Sequence, residues 1–355
     1  MERPFSFPSI GIDISDESFK YMRFGADKDH RTIAFFGDHD LPSGLIEEGE
    51  IKDIAGASKI LKEVLRPYRQ STPYLICSLP EEKGFLRLIR MQKLPASEVR
   101  SALEFQLEEH IPYAPGDLYF DYHILPQGIS PKNDMRVVVM AYPRAIVDAY
   151  IQVVEQAGFA PVIFELESQA IARAVVPRGS DEATLVGDIG RTRTTFFVVY
   201  RGNVLFTSTV KMGGRDLNAT LRDSLHVTEE QALEIKIGRG IDFSSEEIIK
   251  SMSPALSVLK AEAERQINFW NKRREDGEPA ITAAYLCGGD AHLKGLPEFL
   301  SRDLGVTVTR AKIWENLFDL NHYVPPMGAH STMRYATAFG LAMRGDDDLF
   351  SDVHI

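Results

Sequence analysis

The segment from Thr184 to Asp216 combines residue types that can hold a phosphate group. An apolar run ends in the carboxylate of Asp188, and the turn behind it carries glycine and threonine: Gly190, Thr192 and Thr194. Backbone N–H groups and hydroxyls in such a turn can surround a phosphate, and an acid at a strand end suits Mg²⁺, usually through water. Taken alone, the hairpin also fits an ordinary β-meander with an aspartate at a turn.

A second acid-ended strand lies about half a chain earlier. The run from Ser9 to Ile14 carries Asp13 near its end, and hydroxyl-bearing and basic side chains follow: Ser15, Ser18 and Lys20. Two such hairpins facing each other could clamp the phosphates of a nucleotide, with Asp13 and Asp188 both near the metal. Two unrelated hairpins remain the alternative.

Two glycine pairs accompany these turns. Gly213-Gly214 opens a helical stretch after the second hairpin, and Gly288-Gly289 follows the apolar strand Ala283 to Leu286. Adjacent glycines let the backbone approach a ligand closely, so the second pair suits the flat ring of a base. On its own, that pair is also a common strand-to-helix connection.

The order of these motifs resembles the actin-like ATPase superfamily, which includes actin, the Hsp70 ATPase domain, sugar kinases and FtsA. The motifs are the segments 11–20, 187–195, 285–300 and 336–344, and the resemblance spans nearly the whole chain. Residues 77–125 resemble one branch of the superfamily, the PilM family of type IV pilus assembly proteins. The most specific part runs from Leu107 to Pro112 and continues with Phe120-Asp121-Tyr122.

The resemblance implies an α/β protein with the actin-like (ribonuclease H-like) two-lobed ATPase fold and an inserted small α+β subdomain. The expected parts are as follows: a first subdomain at 1–79, completed by 144–183 and 330–345; the insert at 80–143; a second-lobe core at 184–216 and 281–329; a helical subdomain at 217–280; and an acidic tail at 346–355.

The resemblance also implies ATP and Mg²⁺ as ligands and assigns roles to individual residues. Lys20 is expected near the phosphates, although a solvated strand lysine is the alternative. Lys236 matches the lysine that contacts ribose and base, but Leu233 stands where the family has the accompanying acid, and Glu234 comes one place late. Ser15 replaces the usual glycine and could narrow the space for a γ-phosphate or donate to it.

Two acids lie at the expected connection between the lobes. Glu165 lies at the end of the predicted strand from Phe159 to Leu166 and Glu167 directly after it, and a carboxylate there can orient an attacking water. The two acids fit equally well as solvated side chains at a helix start, where the helix dipole favours negative charge.

Local patterns predict further elements. Ser97 is expected to cap a helix in the insert, and Thr228 with Gln231 forms a capping-box pattern. Residues 253–274 show helical spacing, whereas 314–329 are typical of a loop and 127–134 of a turn-rich connection. The tail at 346–355 has the composition of a disordered segment.

Composition restricts the class of protein. The chain has 355 residues with a net charge of −11, so a nucleic-acid groove is not expected as the main surface. Two distant cysteines, Cys77 and Cys287, do not indicate a disulfide framework and favour a reducing compartment. There is no apolar run of membrane-spanning length and no signal-peptide core.

Two functional hypotheses follow from different classes. One is a cytoplasmic, nucleotide-regulated scaffold at the inner membrane, held there only through partners and able to form a homo-oligomer. Its insert would bind the N-terminal cytoplasmic peptide of a PilN-like bitopic membrane protein, as the resemblance implies, and any ATP turnover would be slow. The other is an enzyme of the same fold, such as a small-molecule kinase, although no substrate-binding set of polar groups is evident. A weaker option is an FtsA-like filament former, but the tail lacks a basic amphipathic helix.

Overall fold

The computed structural model describes residues 8–27, 30–126 and 134–346. The chain divides into two compact units. Unit 1 comprises Met1–Ala174, Asn321–Tyr323 and Thr337–Ile355, and unit 2 comprises Val175–Leu320 and Val324–Ala336. Each unit has its own sheet, and its elements are described separately.

Unit 1 begins with strands and alternates afterwards between strands and helices. Its elements are β1 (Ile10–Ile14), β2 (Ser18–Asp27), β3 (His30–Asp40), β4 (Ile46–Glu47), β5 (Glu50–Ile51), α1 (Ile54–Leu65), β6 (Tyr74–Leu79), β7 (Phe85–Gln92), α2 (Ala96–His110), β8 (Leu118–Ile124), β9 (Asp134–Pro143), α3 (Arg144–Gln156), β10 (Ala160–Leu166) and α4 (Glu167–Val175).

The main sheet of unit 1 has the order β10-β6-β1-β2-β3. The first three strands of that order pair in parallel, and β1, β2 and β3 form an antiparallel meander. All five residues of β1 are buried, which explains its continuous apolar character apart from Asp13. The register pairs Asp13 with Lys20, so the turn between β1 and β2 brings the acid and the base together.

The insert of unit 1 is a separate small layer. Its sheet has the order β7-β9-β8, and α2 packs on one face of it through Val99, Leu103 and Leu107. The predicted cap at Ser97 is wrong, because α2 begins at Ala96 with the extended Pro95 as its N-cap. The Glu98 N–H already donates to the Pro95 carbonyl, which places Ser97 inside the first turn. Most of the turn-rich connection, residues 127–133, lies outside the described residues.

Unit 2 has a second five-stranded sheet flanked by helices. Its elements are β11 (Ala183–Ile189), β12 (Thr194–Tyr200), β13 (Asn203–Val210), α5 (Gly214–Leu225), α6 (Glu229–Gly238), α7 (Glu246–Arg273), β14 (Ala283–Cys287), α8 (Leu296–Leu304), β15 (Thr307–Arg310), α9 (Ile313–Leu317) and α10 (Ala329–Thr332). The strand order is β13-β12-β11-β14-β15, with β11, β14 and β15 in parallel and β11, β12 and β13 antiparallel.

Local predictions in unit 2 had different outcomes. The capping box is confirmed, since Thr228 and Gln231 exchange side-chain and backbone hydrogen bonds. Helix α7 begins earlier than predicted and continues through Pro254, because its buried face already starts at Ile248 and Met252. The stretch 314–329 is not wholly a loop, because α9 and the start of α10 lie within it.

The last helix, α11 (Ala336–Asp346), returns the chain to unit 1 and packs there by close approach. A Cβ added to Gly340 would lie 1.7 Å from the Ala170 carbonyl oxygen of α4, and one added to Gly11 of β1 would lie 2.4 Å from the Ala342 nitrogen. Only glycine fits at both positions, so two bare Cα atoms bring α11 against α4 and the sheet. The predicted tail beyond residue 346 lies outside the described residues.

No helix in the described ranges has both the length and the apolar character needed to cross a membrane.

Candidate functional site

Asp13 is the centre of the predicted site residues in unit 1. Its side chain is buried, and its Oδ2 accepts from the Lys20 ammonium at 3.2 Å. Its Oδ1 accepts from the Ser78 hydroxyl at 3.2 Å, and that hydroxyl also accepts from the Ile14 N–H. Lys20 and Ser78 therefore hold the carboxylate at the end of β1 in one orientation. The positive charge of Lys20 offsets part of the cost of burying the carboxylate.

Ser78 is a site residue that the sequence reasoning missed. It lies near the end of β6, the parallel neighbour of β1, and is fully buried. The sequence signal for Ser78 is a serine near the end of an otherwise apolar strand. This signal becomes informative only when the strand order shows that β6 lies beside β1.

The turn after Asp13 is closed by its own hydroxyls. Ser15 donates its backbone N–H to the Ser18 carbonyl at 3.1 Å and its hydroxyl to the same carbonyl at 2.9 Å. The two hydroxyl oxygens lie 3.2 Å apart. Asp16, in the same turn, accepts from the N–H groups of Glu48 and Gly49 and so fastens the β4–β5 hairpin to it. The serine in place of the usual glycine thus supports the turn itself.

Glu165 and Glu167 lie in different surroundings. Both carboxylate oxygens of Glu165 accept from the Arg173 guanidinium, at 2.7 and 2.8 Å, and Arg173 also donates to the Gly340 carbonyl. Glu165 is therefore part of a bidentate ion pair, which works against a water-orienting role for it. Glu167 is the first residue of α4, where a carboxylate is favoured by the helix dipole.

In unit 2, Asp188 lies against the first glycine of the Gly288-Gly289 pair. Gly288 has a φ of +91°, and a Cβ added to it would lie 2.4 Å from Asp188 Oδ1. The Cys287 thiol lies 3.8 Å from the same oxygen, and burial, with Asp188 beside it, raises the pKa of that thiol well above its ordinary value. Cys287 is consequently a neutral packing residue and not a thiolate nucleophile. Gly289, by contrast, has an open Cα whose nearest neighbour is the Arg334 side chain.

The turn at Gly190 and the start of α5 are joined by backbone hydrogen bonds. Gly190 donates to the Arg193 carbonyl, and Gly214 donates to the Gly190 carbonyl at 3.0 Å. The Gly213 N–H donates to the Asp216 carboxylate at 2.9 Å. The N–H groups of these three glycines are therefore engaged within the protein. Their Cα atoms are packed against protein as well: an added Cβ would lie 2.9 Å from the Arg193 carbonyl oxygen at Gly190, 2.6 Å from the Gly190 carbonyl oxygen at Gly213 and 2.0 Å from the Asp290 carboxylate at Gly214.

The two predicted threonines differ in their availability. The Thr194 hydroxyl is buried and donates to the Met212 carbonyl at 2.7 Å. Within the described part of the chain, the Thr192 hydroxyl makes no hydrogen bond. Thr192 is thus the hydroxyl of this turn that is available to a phosphate.

Lys236 completes the cluster in unit 2. Although it is a lysine on a short helix, it is buried, and its ammonium donates to the Gly214 carbonyl at 3.1 Å and to Asp290 Oδ1 at 2.7 Å. Asp290 was not singled out in the sequence analysis. Unit 2 therefore brings together three turns, those at Gly190, Gly214 and Gly288, with one buried lysine and two aspartates.

Each unit contributes one strand-end acid that was predicted as a metal ligand. Among the described residues there is no group of three or more His, Cys, Asp and Glu side chains that could hold a metal ion. Mg²⁺ keeps several waters and needs only one or two carboxylates when phosphates supply the other ligands. Asp13 in unit 1 and Asp188 in unit 2 are carboxylates of that kind.

Comparison with known proteins supports the fold. A family model described as type IV pilus assembly protein PilM matches residues 11–346. Among solved structures, the chain is similar to a PilM–PilN type IV pilus biogenesis complex, with a TM-score of 0.80 and 23% identity over 97% of this chain and 100% of that chain.

Two further structures are more distant. The ethanolamine utilization protein EutJ from Carboxydothermus hydrogenoformans has a TM-score of 0.53 and 19% identity, over 96% of this chain and 92% of that one. MreB5 of Spiroplasma citri bound to ADP has a TM-score of 0.56 and 11% identity, over 96% of each chain. These likenesses confirm the predicted actin-like fold.

Proposed function

The chain belongs to the PilM family of type IV pilus assembly proteins, and we propose that it is an ATP-binding scaffold that holds the N-terminal cytoplasmic peptide of a PilN-like membrane protein. In this proposal the protein is cytoplasmic and is attached to the inner membrane only through that partner. The nucleotide tunes the affinity for the peptide, and the insert carries the peptide.

One observation carries the nucleotide part of the proposal. Asp188 lies at the end of β11, beside the bare backbone of Gly288 and in the unit that also buries Lys236. In unit 1, Asp13 is the corresponding strand-end acid and is oriented by Lys20 and Ser78. Strand-end acids beside turns that carry glycine and hydroxyl groups are the kind of groups from which a magnesium nucleotide takes its ligands.

The site residues then have the following roles. Asp13 and Asp188 would hold Mg²⁺. The backbone and side chains of the two turns contact the phosphates: Ser15, Ser18, Lys20, Gly190, Thr192, Thr194, Gly213 and Gly214. Gly288 and Gly289 lie along the base, and Lys236 lies at the ribose and base. Mg²⁺ would neutralise phosphate charge when bound, and Glu165 and Glu167 are the acids predicted to orient water for a slow hydrolysis, with Glu165 engaged by Arg173.

The insert supports the partner part of the proposal. On the sheet face opposite α2, Leu86 and Val138 are buried, while Leu88 and Met140 are partly exposed. The Gln169 side chain of α4 contacts Met140, and the Tyr142 hydroxyl donates to the carbonyls of Leu79 and Pro80. This face therefore lies next to the first subdomain, and we place the peptide groove at its partly exposed apolar side chains.

The test is capture of synthetic N-terminal peptides of bitopic membrane proteins by the purified chain, measured by calorimetry with and without ATP and Mg²⁺. We expect one peptide class to bind, and Leu88→Asp to lower its affinity at least about tenfold, because an unpaired charge cannot be buried against the peptide. Phe105→Asp is the matched control, because Phe105 is 77% exposed on α2. This variant should bind the peptide as tightly as the wild type. If no peptide binds, the scaffold proposal fails.

A further inference from the structure

Helix α6 buries its lysine without placing an acid beside it. Leu233, at the position where the family resemblance implies an acid, is apolar and 41% exposed, and Glu234 is exposed to solvent. Glu229, at the start of the helix, accepts from Asn218 and Arg222. Lys236 therefore takes its counter-charge from another part of unit 2.

That counter-charge is Asp290, which follows the Gly288-Gly289 pair directly. Its backbone N–H donates to the Ile189 carbonyl at 3.0 Å, which fixes the turn, and its Oδ1 accepts from Lys236 at 2.7 Å. The carboxylate also lies on the bare Cα of Gly214, since an added Cβ there would come within 2.0 Å of it. Any larger residue at 214 would push the acid out of this position.

Asp290 retains an acceptor that the described protein does not use. Oδ1 bonds to Lys236, but Oδ2 makes no hydrogen bond within the described ranges. The side chain is only 20% exposed, so this oxygen is partly withdrawn from water. A half-buried carboxylate oxygen gains most from a donor supplied by a ligand, and hydrogen bonds to charged groups are the stronger ones.

We propose that Asp290 is the ribose-recognising acid of this chain and that it selects ribonucleotides over 2′-deoxyribonucleotides. The inference rests on the proposed nucleotide site and specifies its ligand. Carboxylates recognise ribose elsewhere by accepting hydrogen bonds from its hydroxyls. In the family pattern, one helix carries both the lysine and the acid. Here α6 supplies the lysine, Lys236, and the loop after β14 supplies the acid, Asp290. Lys236 acts in this role as a positioning residue that orients the carboxylate.

A purely structural role for Asp290 would give a different result. If Asp290 only tethers Lys236, its removal lowers the affinities for ATP and 2′-deoxy-ATP by the same factor. If it contacts the ribose, the ratio of the two affinities changes. The ratio is therefore the decisive quantity, and it does not depend on hydrolysis.

The experiment measures the dissociation constants of ATP, 2′-deoxy-ATP and 3′-deoxy-ATP for the full chain with Mg²⁺. We expect the wild type to prefer ATP to at least one deoxy analogue by about 10- to 100-fold, the range of one hydrogen bond to a charged group. Asp290→Asn should reduce this preference to about twofold or less. Lys260 pairs with Asp303 on other helices of unit 2, so Asp303→Asn is a matched control that should keep the preference.

Each outcome has a distinct meaning. If the wild type binds no ATP at millimolar concentration, the proposed nucleotide function itself is overturned. If it binds ATP and both deoxy analogues equally, or if Asp290→Asn leaves the preference intact, the ribose assignment is overturned and the nucleotide site stands. Equal binding of ATP and both deoxy analogues by the wild type would overturn the ribose assignment even if the variant does not fold.

Discussion

Both carboxylate oxygens of Glu81 accept hydrogen bonds from a single residue, Ser168. Oε2 accepts from the Ser168 backbone N–H at 3.1 Å, and Oε1 accepts from its hydroxyl at 3.0 Å. Glu81 is one of the first residues of the insert, and Ser168 lies in the first turn of α4, so the acid supplies an N-terminal partner to that helix. The start of the insert and the start of α4 are thereby fixed to each other inside unit 1.

The first prediction concerns this contact. Glu81 is 4% exposed, so Glu81→Gln removes a buried charge-assisted hydrogen bond at a helix N-terminus. We expect a loss of about 1–3 kcal/mol in the free energy of unfolding, measured by urea denaturation. Glu109→Gln, an exposed acid at the end of α2, is the control and should change the free energy of unfolding by less than about 0.5 kcal/mol. Equal effects of the two substitutions would show that the Glu81 contact has no special role.

The second prediction separates a catalytic from a structural role for Glu165. Removing Arg173 by Arg173→Met leaves a buried carboxylate without its bidentate partner and should cost about 2–4 kcal/mol in unfolding free energy. The double variant Glu165→Leu with Arg173→Met should recover most of this loss, because no charge is then left unpaired.

The opposite outcome is equally informative. If Glu165→Gln leaves stability unchanged but abolishes ATP turnover, the ion pair is not the main role of Glu165. Glu165 is then the acid that orients the attacking water.

The third prediction tests the close packing of α11 on α4. Gly340→Ala places a Cβ 1.7 Å from the Ala170 carbonyl oxygen, so the helices must separate, and we expect a loss of about 2–3 kcal/mol in unfolding free energy. Gly238→Ala is the matched helical control, because nothing lies within 4 Å of a Cβ added there. Alanine should be neutral or stabilising by up to about 1 kcal/mol at that position. Similar thermal midpoints for the two variants would contradict the packing argument.

The fourth prediction concerns the metal. ATP with Mg²⁺ should raise the unfolding temperature by mass action, by an amount that corresponds to about 2.7 kcal/mol at a ligand concentration 100 times the dissociation constant. Asp188→Ala should abolish the Mg²⁺-dependent part of this shift while the ligand-free protein remains folded. Asp223→Ala, which removes an exposed acid of α5 beside Arg222, should not alter the shift. A nucleotide affinity unchanged by Asp188→Ala would mean that the metal lies elsewhere.

Much of the local structure could be predicted from the sequence because it depends on neighbouring residues. The capping box at Thr228 and Gln231 needs only the side chains three residues apart, and it forms as predicted. The N-cap predicted at Ser97 was misplaced by two residues because the helix already begins after Pro95. The length of α7 was underestimated because a proline inside a helix is tolerated when the buried face on both sides of it continues.

The sequence by itself determined that the acids, glycines and hydroxyls of the candidate site lie at or near strand ends. It could do so because the pattern of apolar and polar residues along a strand indicates where the strand is buried and where it ends. Only the tertiary structure decided which charges meet. Lys20 meets Asp13 through the hairpin register, Arg173 meets Glu165 and Gly340, and Lys236 meets Asp290, 54 residues away. A charged side chain that is largely buried needs a partner to offset its lost hydration. The partner is whichever group the fold brings within reach, and spacing along the sequence does not identify it.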